Sequence, residues 1–204
     1  DGNDGNDGND GNDGNDGTDC SITQDSKGTV KITCGEKEVV ILCGGLNFNP
    51  ATQLCDVRGG QLYKYAKIGE QVWMAENLNY AGANDEVGEC YDEDSSNCDT
   101  YGRLYTWSEA TTICPAGWVL PSKDEWEELV DFVDDADELK DGAFAALLGG
   151  YGYNSEYDGR NVNGNFWSET EEDNQNAYSL RVSTTIALSG RAKTNTHSVR
   201  CLKN

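Results

Sequence analysis

CPAGWVLPSKDEWEELVDFV, residues 114–133, opens on a cysteine and a Pro-Ala-Gly turn and then settles into a helical pattern. Ser122 and Glu125 have the S-x-x-E spacing of a capping box, in which each side chain satisfies a backbone N–H that the helix start would leave orphaned. Asp124 and Glu125 sit at the positive end of the helix dipole. Trp126, Leu129, Val130 and Val133 then fall on one face. A helix with one such stripe must bury it against another layer, so the flanking segments decide the fold.

Those flanks read as strands. QLYKYAKIGEQVWMAENLNY, residues 61–80, predicts two strands around a turn at Gly69, with Tyr63, Tyr65, Ile68, Val72 and Trp73 as packing residues. GNFWSETEEDNQNAYSLRVSTTIALSGRAKTNTHSVRC, residues 164–201, alternates in the manner of antiparallel strands joined by polar turns. RLYTWSEATTIC, residues 103–114, adds a short amphipathic helix through Leu104, Trp107 and Thr111, and a further helical turn is expected within 141–149. The class is therefore α+β, two short helices on irregular, mostly antiparallel sheet. Trp73, Trp107, Trp118, Trp126 and Trp167 all occupy patterned positions and are assigned to the core.

Eight cysteines, Cys20, Cys34, Cys43, Cys55, Cys90, Cys98, Cys114 and Cys201, include no C-x-x-C pair, and there is one histidine, His197. An even count without metal spacing points to four disulfides formed in an oxidising compartment. Short loops suggest Cys20–Cys34, Cys43–Cys55 and Cys90–Cys98, which leaves Cys114–Cys201. The protein is thus expected to be secreted, extracellular or at a cell surface. No apolar run is long enough to span a membrane as a helix.

Residues 20–60 read as a small stapled β module, with strands at 21–23, 29–33 and 38–42; residues 61–204 form the main domain. Residues 1–19 differ from both. In DGNDGNDGNDGNDGNDG glycine recurs at every third place from Gly2 to Gly17, which meets the collagen condition of glycine at the crowded axis but lacks its prolines. The tail is expected to be an extended acidic stalk, collagen-like and able to carry a homotrimer or polymer, with a flexible tether as the other possibility. Of the net charge of −22, seven negative charges lie on Asp1, Asp4, Asp7, Asp10, Asp13, Asp16 and Asp19, leaving −15 for the rest. Such a surface repels phosphate backbones and argues against nucleic acid as a partner.

Five separate stretches, YKYAKIGEQVWMAENLNY, YGRLYTWSEA, CPAGWVLPSKDEWEEL, GNFWSET and SVRC, run in the order found in the Fibrobacter succinogenes major paralogous domain, which the chain resembles from about Gly60 to Cys201. The resemblance implies an extracellular protein of a disulfide-stapled, C-type-lectin-like fold, akin to the sulfatase-modifying-factor branch. Leu148 stands where that branch usually has proline. The Glu-Pro-Asn or Gln-Pro-Asp and Trp-Asn-Asp sugar-reading motifs of calcium-dependent lectins are absent, and the paired thiols of the oxidase members would here be consumed by disulfides.

Two clusters are candidate sites. Tyr151, Tyr153 and Tyr157 lie among Gly and Asn in a loop-like stretch with Asp158, Arg160, Asn161 and Asn163. Aromatic faces beside such groups can stack on sugar rings and hydrogen-bond their hydroxyls. Asp85, Glu86, Glu89, Asp92, Glu93 and Asp94 form an acidic loop with the hard oxygen ligands that calcium takes, though without the EF-hand spacing. No cofactor is required, and calcium is the one ion this stretch would suit. The chain has no G-x-S-x-G, Walker or H-E-x-x-H signature, and His197 has no evident nucleophile partner. These residues predict a non-catalytic binding or adhesion protein directed at polysaccharide, against two alternatives: a structural subunit of an extracellular fibre or trimeric stalk, and a modifying-factor-like oxidase.

Overall fold

The computed structural model describes residues 20–24, 30–41, 48–49 and 51–204. The Gly-Asn-Asp tail, with the stalk and trimer expectations attached to it, lies outside them. Strands β1 (Cys20–Gln24), β2 (Val30–Cys34) and β3 (Lys37–Ile41) pair antiparallel in that order, and the register sets Cys20 opposite Cys34.

The next elements are β4 (Gln53–Asp56), β5 (Gln61–Ile68) and β6 (Gln71–Met74), then α1 (Ser95–Tyr101), β7 (Tyr105–Thr106), α2 (Trp107–Ile113), β8 (Trp118–Val119), α3 (Lys123–Phe132) and α4 (Ala136–Asp141). Seven more strands complete the chain: β9 (Gly149–Tyr153), β10 (Glu156–Arg160), β11 (Gly164–Glu171), β12 (Asn176–Val182), β13 (Ile186–Ala192), β14 (Thr196–His197) and β15 (Leu202–Lys203). One sheet runs β4-β5-β6-β15-β8; β4, although it precedes residue 61, pairs with β5. The other runs β13-β12-β11-β9-β14-β7, with β10 added on β9. Pairing is antiparallel except between β11 and β9. The α+β class holds.

The capping box at the start of α3 forms as its spacing requires. The Glu125 N–H donates to Ser122 Oγ at 3.2 Å, and the Ser122 N–H donates back to Glu125 Oε2 at 2.7 Å. Trp126 and Leu129 are then buried against Trp73, Phe144, Phe166 and Leu180, with the Trp73 and Trp126 rings 4.6 Å apart. On the opposite side of the β11–β13 sheet a second apolar cluster gathers Tyr63, Met74, Tyr105, Trp118, Trp167 and Ala177. Strand alternation explains the split: Phe166, Leu180 and Val182 face one cluster, Trp167 and Ala177 the other. Four of the five tryptophans are buried, and Trp107 is half-buried beneath Lys193.

Helix content differs from expectation: among the described residues there are four α-helices rather than two. The acidic stretch 85–94, expected to be a loop, contains a 3-10 turn, Tyr91–Glu93, and runs directly into α1. The helical turn expected within 141–149 lies earlier, as α4, because Asp135 accepts from the N–H groups of Asp137 and Glu138 and fixes the start there. Its apolar residues Ala136 and Leu139 turn inward, and the chain beyond Gly142 runs into β9.

Disulfides join Cys90 to Cys98 and Cys114 to Cys201, as the loop lengths suggest. Cys55 is also disulfide-bonded; the expected Cys20–Cys34 and Cys43–Cys55 pairings rest on side chains that lie outside the described ones. Among the described residues no helix is long and apolar enough to cross a membrane. Beside the second bridge lies Arg200, fully buried between the two clusters. Its Nε donates to Asn77 Oδ1 at 2.6 Å, Nη1 to the Met74 and Phe144 carbonyls and Nη2 to the Ala145 carbonyl at 2.7 Å. The rings of Phe144 and Phe166 lie 4.5 and 5.7 Å from the guanidinium.

Candidate functional site

The tyrosine-rich stretch is a hairpin rather than a loop. Asn154 and Ser155 both take positive φ, 49° and 63°, the geometry of a two-residue turn whose twist suits antiparallel strands. That turn pairs β9 with β10, setting Glu156 opposite Tyr153 and Asp158 opposite Tyr151. Gly150 is obligatory within it: φ is +75°, and a Cβ would meet the Asp158 carbonyl at 2.5 Å.

The hairpin divides the seven residues singled out in it. Tyr157 and Arg160 turn to the 3-10 segment, where Tyr91 lies 5.2 Å from the Tyr157 ring and 5.0 Å from the Arg160 guanidinium. Burial and the nearby Glu89 carboxylate push the Tyr157 phenol up to about 12. Arg160 also donates to Asn97 Oδ1. Asn161 accepts from the Tyr101 hydroxyl at 2.7 Å, and buried Asn163 accepts from Asn165. Asp158 accepts from the Gly159 N–H at 2.7 Å and, at 3.4 Å, from the Tyr151 hydroxyl. Of the seven, Tyr151 and Tyr153 remain to line a cleft.

That cleft, about 300 Å³, is built on the face of the sheet opposite α3 and is completed by Asn165, Arg181, Arg191, Asn195 and His197. Its floor follows from strand register. On β12 the residues Ala177, Ser179 and Arg181 share one face; on β13 Ala187, Ser189 and Arg191 do. Antiparallel pairing sets Ser179 opposite Ser189, so the two arginines stand at opposite ends of the strand pair. Asn165 lies beside Arg181 and Trp167 beside Ser179 on β11. The Tyr151 and Tyr153 rings, 5.7 Å apart, form one wall. The result is a concave polar surface with two aromatic faces and seven or more hydrogen-bonding groups, the make-up of a site for a hydroxylated ligand.

The acidic residues do not converge. Asp85 pairs with Arg103, Glu86 accepts from the Asn84 N–H, and Glu89 accepts from the Thr196 hydroxyl at 2.5 Å. Asp92 lies 4.0 Å from Arg160, and Asp94 caps α1 by accepting from the Ser96 N–H, which lowers its carboxyl pKa. Glu93 sits in the 3-10 turn. Among the described residues no three His, Cys, Asp or Glu side chains are placed so as to hold a metal ion.

His197, expected to lack a nucleophile partner, has one: its Nδ1 lies 2.8 Å from Ser179 Oγ. The pair is nevertheless a poor base and nucleophile. Burial, with the charge of Arg191, holds the imidazole down at about 3, and the ring is stacked at 4.1 Å on Trp167. A general base at neutral pH needs a far higher affinity for the proton. The depressed value also has a stability consequence. An unfolded chain takes up this proton near pH 6.5, the folded one near 3, so stability is lost as pH falls below about 6.5. Relative to a His197→Gln variant, the native protein should lose about 2 kcal/mol more between pH 7 and pH 5. Urea unfolding of both proteins at the two pH values measures this, and parallel curves would refute a buried neutral His197.

Arg181, Arg191, Asn165 and Asn195 were not singled out from the sequence. A signal was present: both strands read Ala-x-Ser-x-Arg, Ala177 to Arg181 and Ala187 to Arg191. Its meaning needs the register that sets the two patterns side by side.

Residues 66–144 match the family model of the Fibrobacter succinogenes major domain. No curated protein and no solved structure matches the chain. The matched segment holds the end of β5, then β6 to β8 and the four helices; the cleft, from Tyr151 onward, lies beyond it.

Proposed function

We propose, for a chain whose residues 66–144 match the Fibrobacter succinogenes major domain model, a non-catalytic binding and adhesion role, extracellular or at the cell surface and directed at polysaccharide. The cleft between the Tyr151–Tyr153 wall and the Arg181–Arg191 floor carries this reading. Sugar rings present apolar faces edged by hydroxyls, and paired tyrosines beside Asn and Arg offer the complement to both. A hydrogen-bonded but unreactive His197–Ser179 pair at the bottom agrees with binding rather than turnover. The C-type-lectin-like assignment belongs with this proposal; so does secretion, which the disulfides favour because such bridges persist in oxidising compartments.

The test is retention of the purified chain on insoluble cellulose and hemicellulose and on a glycan array, with calcium and with chelator. Retention should occur on at least one glycan and fall at least tenfold in Tyr151→Ala, whose ring leaves the wall. Absence of retention on every glycan in both conditions would overturn the proposal.

A further inference from the structure

We propose that the ligand of this cleft carries a carboxylate, so that the glycan recognised is one containing uronic acid residues. This rests on the glycan-binding reading and adds the charge of the sugar. The observation behind it is the state of the arginines. The chain has 37 Asp and Glu against 15 Lys and Arg, so a cation has carboxylates in abundance to meet. Arg58, Arg103 and Arg160 do meet them, at Asp56, Asp85 and Asp92, and Arg200 is held by carbonyls and Asn77. Among the described residues Arg181 and Arg191 pair with no carboxylate, and these are the two that line the cleft.

Their hydrogen bonding is also incomplete. Arg181 Nε is the one buried side-chain polar atom among the described residues with no partner. Arg191 donates from Nη1 to the neighbouring Gly190 carbonyl at 2.9 Å. A guanidinium presents five donors in a planar fork that matches the two oxygens of a carboxylate, and a charge-assisted pair of this kind is among the stronger hydrogen bonds. Half-buried in a surface of net negative charge, two arginines without a carboxylate partner form a local positive well. Charge of one sign in a cleft focuses the field there and selects the opposite charge in the ligand. A neutral sugar would use the tyrosines and asparagines and leave both forks unanswered.

The experiment uses the full chain in buffer of physiological salt with chelator present. Affinity electrophoresis through gels containing polygalacturonate, a sulfated dextran, or neutral xylan compares the three chemistries. Polygalacturonate should retard the protein most, and free glucuronate, but not glucose, should release it. The competition uses unaltered protein, so it does not depend on a variant folding. Arg181→Gln and Arg191→Gln, checked for folding by circular dichroism, should each weaken binding to polygalacturonate at least tenfold. Equal retardation by xylan, with both glutamine variants binding like the native protein, overturns the acidic-sugar inference while leaving glycan binding intact. Retardation by the sulfated polymer alone overturns the carboxylate assignment. Retardation by none of the three, together with a blank array, removes the binding reading itself and this inference with it.

Discussion

Arg200→Met is expected to destabilise the protein by about 3–5 kcal/mol, because several buried acceptors are left without donors at once. The substitution takes away the donors on which Asn77 Oδ1 and the carbonyls of Met74, Phe144 and Ala145 depend. A buried acceptor stripped of its donor costs about 1–3 kcal/mol. Methionine fills much of the volume, so the loss reports hydrogen bonding rather than a cavity. Burial pushes the guanidinium down to about 9, and the group is still a cation at neutral pH. Its carbonyl ring and the flanking Phe144 and Phe166 faces are what hold that charge in the interior. Arg200→Lys should recover only part of the loss, because one ammonium cannot reach four acceptors set out for a fork. Denaturant unfolding measures both variants; a methionine variant within 1 kcal/mol of the native protein would contradict this account.

The second large effect concerns the bridge beside it. Cys114 and Cys201 are separated by 87 residues, and replacing both with alanine should cost about 4–5 kcal/mol on the chain-entropy view. The Cys90–Cys98 bridge spans 8 residues, and its removal should cost about 2–3 kcal/mol. Thermal unfolding of the two double variants ranks them: a fall in Tm of about 10–20 °C is expected for the long bridge. A smaller fall than for the short bridge would show that native-state contacts, not loop closure, set the contribution.

What could be read from the sequence was mostly what is local. The capping box of α3 depends on residues three apart, and the buried stripe through Trp126 and Leu129 on a single helix. The turn at Gly69 and the strands around it were equally visible, as were the two described bridges. Helix α1 was not, since SSNCDTY has no apolar period. It exists because Asp94 caps it, Cys98 is tied to Cys90, and Asn97 donates to the Tyr91 carbonyl. The hairpin was missed because Asn154-Ser155 is a less common turn pair than Asn-Gly, and the run of Tyr and Gly before it gives no alternation of apolar and polar. Tyr151 and Tyr153 could be named from composition alone, whereas the arginines facing them emerge only from the pairing of β12 with β13.

That pairing has a geometric corollary. Two strands with the same Ala-x-Ser-x-Arg text, laid antiparallel with serine against serine, are related by a half-turn about an axis between Ser179 and Ser189. The floor therefore reads identically from either end, like a palindrome. A polymer laid across it meets the two arginines in the same relation whichever terminus leads. Directional sense has to come from the walls: Asn165 flanks the Arg181 end through β11, and β13 is an edge strand with no neighbour to match it.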